Sequence, residues 1–584
     1  MVHRPILYRP FVLAAVLFIT SLFLRTVLLD RIPTGIIHDN MIFVLNAKSF
    51  FYTGSDVSGT WNPLSFSPIP DEPAQAELPY ILMAPIIGPL QSSLFAAHIF
   101  HAVVNSIFVV IVFLIALKLI GKWQAFIIGL VACFNPWSIF FGRAAFEASL
   151  ALFFYMLGLY VLLVTTGWKK MWVIIPLACG FYTYMAYKIT FVPYVLAICF
   201  FTWQHIDRRK YTKQYIAILT VCVVIFFSFI LNAKKQNTSD RLGEVSIFST
   251  GEVENQVNLE RRLAVKNPVV SIVSNKVSVG IKKSIAKYVG AFSPEYLFVD
   301  TEKTVRFHIF NHGYFYYTDA LFFILGCYYL FLYKRKLWIF LTGMLLLGPL
   351  PSVVSNVGIS YAMRSSLYIP FFYMFIGMGI WYAINIFKKK KYFTLGLTGI
   401  VGMYAILIAN FFYTYFFIQP VYASEGMTFS ARILSQYASL VNQKNRPVTV
   451  VLNAPRVIFK DFIYYSDSYN RETAGQIREA FVNNQFVFQN IAFTTCDTVQ
   501  TIEENTTYIF DPGEKCPILK DALPTISIAQ LFDSGTVYAI YQDTMCNQHN
   551  LKPYISNLKL RDFAVEKLSE KDFCETFIVD FQRQ

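Results

Sequence analysis

Long apolar runs, broken by short polar connections, dominate the first 417 residues. A hydrocarbon core of roughly 30 Å takes about 20 helical residues. Runs of about that length occur at 10–29, 97–117, 123–141, 147–165, 171–187, 189–204, 215–232, 317–333, 337–354, 366–387 and 393–417. These eleven runs predict a mainly α, polytopic membrane helix bundle. The pattern changes after 418. "PVTVVLNA", "TTYIFDP" and "TVYAIYQ" alternate as strands do, and "RETAGQIREAFVNN" has a helical period. Residues 418–584 are therefore expected to form a separate α/β domain beside a membrane domain spanning 1–417, whose outer loops are 30–96 and 233–316.

Charge orients the bundle. Arg4 and Arg9, Lys118 and Lys122, Lys169 and Lys170, Arg208 to Lys213, Lys334 to Lys336, and Lys388 to Lys391 fall on alternate connections. The positive-inside rule makes these connections cytoplasmic. The N-terminus is then inside and, after eleven crossings, the α/β domain is extracytoplasmic. No small-residue cleavage site follows the first run, which reads as an uncleaved anchor. The expected location is the cytoplasmic membrane, multi-pass.

Composition agrees: 55% of residues are hydrophobic, 15% are charged, and mean hydropathy is +0.47. A net charge of +14 could suggest nucleic acid. Its confinement to short clusters between spans excludes that partner. Five of the nine cysteines lie in or beside spans. Cys496, Cys516, Cys546 and Cys574 all lie in the tail. Four cysteines in an oxidising compartment predict two disulfides, in any of three pairings. Zinc is the rival reading, disfavoured because no CxxC or CxxH spacing occurs.

The candidate chemistry gathers on the outer side. Asp39 follows the first span, as a predicted N-cap for a partly amphipathic segment 40–52 suited to the membrane interface. Arg143 and Glu147 are four apart, which would place them on one helix face. Ionisable groups at that depth are costly and need a partner or a task, so the pair suits helix packing as well as function. Lys188, His312 and Arg364 sit at outer ends of spans, where each could snorkel or hold a phosphate. Two acids with several cations on one surface suit an anionic lipid substrate that reacts by acid–base chemistry.

Five pieces in order carry a family resemblance over roughly residues 20–390: "IPTGIIHDN...AKSFFYTGSDVSG", "NPWSIFFGRAAFEASLALFFYMLGLY", "GFYTYMAYKITFVP", "YVGAFSPEYLFVD...FNHGYFYYTDALFFILGCYYL" and "LLLGPLPSVVSNVGISYAMRSSLYIPFFYMF". Together they resemble bacterial relatives of dolichyl-phosphate-mannose protein mannosyltransferases. These belong to the GT-C superfamily of membrane glycosyltransferases, which also holds the aminoarabinose transferase acting on lipid A. The resemblance implies sugar transfer from a polyprenyl-phosphate carrier to a protein, lipid or glycan acceptor at the outer membrane face. It implies that an acid of the first outer loop, usually in an Asp–Glu pair, is catalytic. Here the pair reads Asp39–Asn40, which leaves the second carboxylate to Glu147. Lys188 stands where many relatives carry Arg.

Chemistry assigns roles within that frame. Lys188, Arg364, Arg143 and His312 are candidates for binding the donor phosphate and easing its departure. Asp39 is the candidate base for the acceptor hydroxyl. Base and leaving group on opposite faces of the anomeric carbon imply one displacement with inversion. No cofactor or metal ligand is assigned, and metal dependence is left open. A lipid or sugar transporter would show repeated halves or mid-span polar residues. A non-catalytic envelope-assembly protein would need Asp39 and Glu147 to be structural.

Overall fold

The computed structural model describes residues 10–62, 76–235, 251–265, 267–302, 304–354, 361–388, 393–513, 516–517 and 524–581. Arg4, Arg9 and Lys389 to Lys391 lie outside them. The first half runs through α1 (Pro10–Thr26), α2 (His38–Thr53), α3 (Pro79–Ile87), α4 (Leu94–Leu119), α5 (Lys122–Phe134), α6 (Pro136–Gly142), α7 (Glu147–Val164), α8 (Ile174–Thr183), α9 (Tyr187–Phe201) and α10 (Thr212–Lys235). Helices Asp319–Tyr333, Arg335–Leu347, Ile369–Lys388 and Phe393–Tyr413 complete the bundle.

Each apolar run of the sequence falls on a helix. Among the described residues, seven helices are long and apolar enough to cross a membrane, and the bent pair α5 and α6 makes an eighth. The bend is 56°, at Pro136, whose missing N–H cannot continue the ladder. Asn135 caps the restarted helix by accepting from the Ser138 N–H. The remaining runs are shorter as helices: α1 has 17 residues, Asp319–Tyr333 has 15, and 171–187 resolves into a 3-10 turn followed by the ten-residue α8. The chain is a multi-pass membrane protein. Without a hydrophobic force between helices in lipid, close approach does the packing. A Cβ at Gly326 or Gly379 would come within 1.8 Å of a backbone oxygen of the facing helix, so glycine is required at both.

The last span continues as one rod through Tyr422 into the C-terminal domain. Seven strands there, β1 (Val448–Val451), β2 (Phe486–Phe488), β3 (Ile491–Thr494), β4 (Thr507–Phe510), β5 (Ile526–Ala529), β6 (Thr536–Tyr541) and β7 (Ile578–Asp580), form one mixed sheet in the order β2-β3-β1-β4-β6-β5-β7. β1 is parallel to β3 and β4, and the other pairs are antiparallel. Helices Phe429–Gln443, Pro455–Tyr465 and Ala474–Val482 pack with the sheet around an aromatic and aliphatic core. Disulfides join Cys496 to Cys516 and Cys546 to Cys574.

Three local expectations fail. Asp39 is not an N-cap: α2 starts at His38, Ile37 occupies the cap position without a side-chain bond, and Asp39 lies in the first turn. Nor does α2 turn an amphipathic face to the membrane along 40–49, because Asn40 through Ser49 are all buried. Met41, Phe43 and Val44 pack with Tyr80 and Met83 of the membrane domain and with Tyr464 and Tyr465 of the C-terminal domain. The second domain covers the face that the first leaves open. Arg143 and Glu147 do not share a helix face either, since α6 ends at Gly142, α7 begins at Glu147, and a turn separates them.

Candidate functional site

The loop from α1 to α2 is pinned from both domains, and that is what positions Asp39. From the membrane side, Arg143 is fully buried. It donates from Nη1 to the Leu24 carbonyl (2.9 Å), from Nη2 to those of Val27 and Ile32 (2.8 Å each), and from Nε to the Tyr415 hydroxyl (3.2 Å). Its guanidinium therefore closes the exposed carbonyl end of α1. From the other domain, Arg432 donates to the Thr34 carbonyl (2.7 Å) while forking onto Glu566 at 2.7 and 2.6 Å. The Tyr465 hydroxyl accepts from the Ile36 N–H (3.0 Å), and Thr428 donates to the Ile36 carbonyl (2.7 Å). A Cβ at Gly35 would sit 2.0 Å from the Met427 carbonyl oxygen, so only glycine lets the loop lie this close.

The fixed loop presents Asp39 with its side chain half exposed, 3.5 Å from Arg306 Nη1. His38 beside it faces Asp461 of the C-terminal domain at 3.7 Å. Arg306 belongs to a segment tied to the end of the last rod. His308 bonds Asp300 (2.7 Å) and Tyr422 (2.8 Å), and Gln419 accepts from the Phe310 N–H and donates to the His308 carbonyl. The next residue, Phe307, packs on Phe146 at 5.6 Å between centroids, immediately before Glu147. One short loop thus touches the neighbourhoods of both candidate acids.

Glu147 opens α7 and is one of three charged groups that act on Tyr184. The Tyr184 hydroxyl bonds Arg364 and stands in the fields of Glu147 and Glu302. Glu302 is buried and accepts the Ala362 N–H at 2.7 Å, and burial pushes its carboxyl up to about 8. Arg364 and Glu147, far apart in the chain, thus both act on one hydroxyl.

The other expected phosphate ligands stand elsewhere. Lys188 is buried against Glu77, its Nζ 2.8 and 3.0 Å from the two carboxylate oxygens and 3.8 Å from the Phe229 ring centroid. His312 donates from Nδ1 to the Gly313 carbonyl (2.6 Å) within a cage of Tyr316, Tyr317 and Phe411, where burial holds its ring below the usual histidine range. Arg143 serves backbone carbonyls, as above. Sequence reasoning missed Glu77, Tyr184, Glu302 and Arg306. The last two were signalled by the polar knot "DTEKTVRFH" inside the outer loop 233–316, while Glu77 and Tyr184 carried no signal without their partners. Among the described residues no group of three or more His, Cys, Asp and Glu side chains could hold a metal ion.

No family model matches the chain, and no curated protein matches it. Among solved structures it is similar to ArnT from Cupriavidus metallidurans bound to undecaprenyl phosphate, with a TM-score of 0.50 and 11% identity over 90% of this chain and 97% of that one. It also matches the oligosaccharyltransferase of Archaeoglobus fulgidus tethered with an acceptor peptide, with a TM-score of 0.43 and 10% identity over 92% of this chain and 74% of that one. The fold of this chain, a polytopic helix bundle followed by a C-terminal α/β domain, is similar to that of the ArnT structure.

Proposed function

We propose, from this GT-C fold and the placement of its outer acids and arginines, that the chain transfers a sugar from a polyprenyl-phosphate carrier to an acceptor at the extracytoplasmic face of the cytoplasmic membrane. The observation that carries the reading is at the start of α7, where the Tyr184 hydroxyl bonds Arg364 and stands in the fields of Glu147 and Glu302. A guanidinium fixed among hydroxyl and carboxyl groups is suited to a phosphate leaving group, because it offers paired donors that need no rearrangement as negative charge builds. Arg364 takes that role.

Asp39 is the base. Its carboxylate is half exposed while Asn40 through Ser49 after it are buried, so it can meet an acceptor without moving its support. Arg306 faces it across an ion pair of 3.5 Å. The acceptor hydroxyl gives its proton to Asp39 as its oxygen bonds to the anomeric carbon. The phosphate leaves from the opposite face toward Arg364, inverting that carbon. Glu147 orients the acceptor or the sugar beside Arg364. Lys188, with its charge already matched by Glu77, supports the α9 end of the site.

The test uses the protein in nanodiscs with undecaprenyl phosphate carrying radiolabelled mannose, glucose or 4-amino-arabinose. It follows release of undecaprenyl phosphate in the presence of membrane extract as acceptor source. Asp39→Asn keeps the shape but cannot take a proton, so release should fall by at least about 100-fold while carrier binding persists. Release at the wild-type rate by the Asn variant refutes the assignment.

A further inference from the structure

Between α10 and helix Asp319–Tyr333 the chain leaves apolar side chains uncovered where no span accounts for them. Helix Gly251–Leu263 packs on helix Lys276–Gly290 through Val253, Val257 and Val279, all buried. Lys276–Gly290 carries a second apolar face. Val277, Ile281, Ile285 and Val289 recur at intervals of four, which makes one stripe along a helix, and they are 62%, 49%, 59% and 62% exposed. Val279 stands two residues before Ile281, near the opposite side of the helix, so the stripe is not the packing face. The short helix Pro268–Val273 just before it adds Val269, Ile272 and Val273, which are exposed as well.

Position and charge select what covers this face. Tyr288 lies seven residues after Ile281, close to two turns, and so shares the stripe's side. Its hydroxyl donates to the Leu346 carbonyl at 2.8 Å. Leu346 stands at the end of helix Arg335–Leu347 remote from Arg335 and Lys336, and the helix Leu350–Val354 beyond it also packs on Lys276–Gly290. The stripe therefore faces one end of a span, and it continues an apolar surface there, since Leu346 and Val354 are themselves exposed. Charge agrees. Helix Lys276–Gly290 holds Lys276, Lys282, Lys283 and Lys287 and no acid. Lys276 pairs with Glu254, and Lys282 with Glu260 at 3.5 Å, both across to helix Gly251–Leu263, so the basic residues lie beside and behind the stripe. An uncovered apolar stripe flanked by lysines is the pattern of a helix lying in a membrane interface, and anionic headgroups are its complement. An acidic protein would match the lysines, but it would not continue into the lipid-facing end of a span.

We infer that helices Pro268–Val273 and Lys276–Gly290 dock on the outer leaflet of the membrane, with the stripe sunk at the boundary of headgroups and acyl chains and the lysines on anionic phospholipid headgroups. This surface is independent of the glycosyl-transfer reading, because it needs lipid and no sugar donor. The chain runs on from Gly290 into the segment that carries Glu302 and Arg306, so the anchored helix holds the start of that segment at the membrane surface.

Two measurements on the full chain in nanodiscs test it. Ile281→Trp places an indole on the stripe, and Lys276→Trp places one five residues earlier, about 140° around the helix. Both positions are exposed, so neither change disturbs the core, and each emission is read as the difference from wild type. With the stripe sunk about 5–10 Å into the boundary, phospholipids brominated along the acyl chain should quench the emission added by Ile281→Trp and spare that added by Lys276→Trp. The second measurement is amide exchange of residues 276–290, in discs of phosphatidylcholine and in discs with phosphatidylglycerol added. Phosphatidylglycerol should raise protection in the wild type, and Lys283→Gln with Lys287→Gln should cut that gain by about fivefold for each lysine at the surface. An unquenched Ile281→Trp, or equal quenching at both positions, overturns the docking. Protection that ignores phosphatidylglycerol, or a lysine variant that loses as much in phosphatidylcholine, overturns the role of anionic headgroups. An unquenched Ile281→Trp whose helix crosslinks between copies makes the stripe a protein interface and likewise overturns the inference.

Discussion

Lys188 is where the sequence expectation and the geometry pull apart, and one double-mutant cycle decides between them. In the structure its ammonium sits against both oxygens of Glu77 at 2.8 and 3.0 Å, with the two residues 5% and 3% exposed. Lys188→Met keeps most of the stem but strands a buried carboxylate, and breaking such a pair costs about 3–5 kcal/mol. Loss of the ammonium over Phe229 at 3.8 Å adds about 1–2 kcal/mol. Lys188→Met with Glu77→Gln leaves no charge to strand, so the double variant should recover about 2–4 kcal/mol of the single-variant loss. The assay is thermal unfolding in nanodiscs by intrinsic fluorescence, paired with titration of undecaprenyl phosphate. The expected result is a large fall in stability for Lys188→Met, substantial rescue in the double variant, and carrier affinity near wild type after rescue. A stable Lys188→Met, or a double variant no more stable than the single, refutes the ion-pair argument. Rescue of stability with carrier affinity still lost would return Lys188 to the phosphate.

Three further outcomes follow from particular contacts. Arg143→Met deprives the Leu24, Val27 and Ile32 carbonyls of their donor, at about 1–3 kcal/mol each; unfolding temperature and turnover should fall together, whereas a change confined to donor KM would make Arg143 a carrier ligand. Glu302, raised by burial from its ordinary 4.5 to about 8, stays protonated in the folded state across a range where the unfolded chain has released that proton. Its contribution is therefore complete below pH 4.5 and declines as pH rises toward 8, by at most about 5 kcal/mol and less with Arg364 nearby. The Glu302→Gln variant should lack that decline, and parallel unfolding profiles from pH 5 to 8.5 would contradict it. Replacing Cys546 and Cys574 by Ser opens a 28-residue separation and should destabilise the C-terminal domain by about 2–4 kcal/mol, read by proteolysis of that domain in intact protein.

The membrane half was legible because its cause is local. A run of apolar residues in lipid must satisfy its own backbone, and only a helix does so within one segment, so every such run became helical. The strands "VTVV", "TYIF" and "TVYAIY" were legible for the same kind of reason, since their apolar and β-branched residues suit a pleated, half-buried surface. Asp39 could be singled out as an acid following a span, and Glu147 and Arg364 as charges too costly to leave idle. What each charge does was not local. Lys188 met Glu77, Arg143 met three carbonyls, Arg306 met Asp39, and Arg364 met Tyr184, over separations that no period or spacing encodes. The burial of α2 was equally hidden, because part of its covering belongs to a domain that begins almost 400 residues later. Sequence by itself determined which segments enter the membrane and which residues are too polar to be there without purpose, since both follow from transfer free energies of single side chains. Only the tertiary structure decided which of those charges neutralise each other, because a buried charge is satisfied by whatever the fold places within about 3 Å of it.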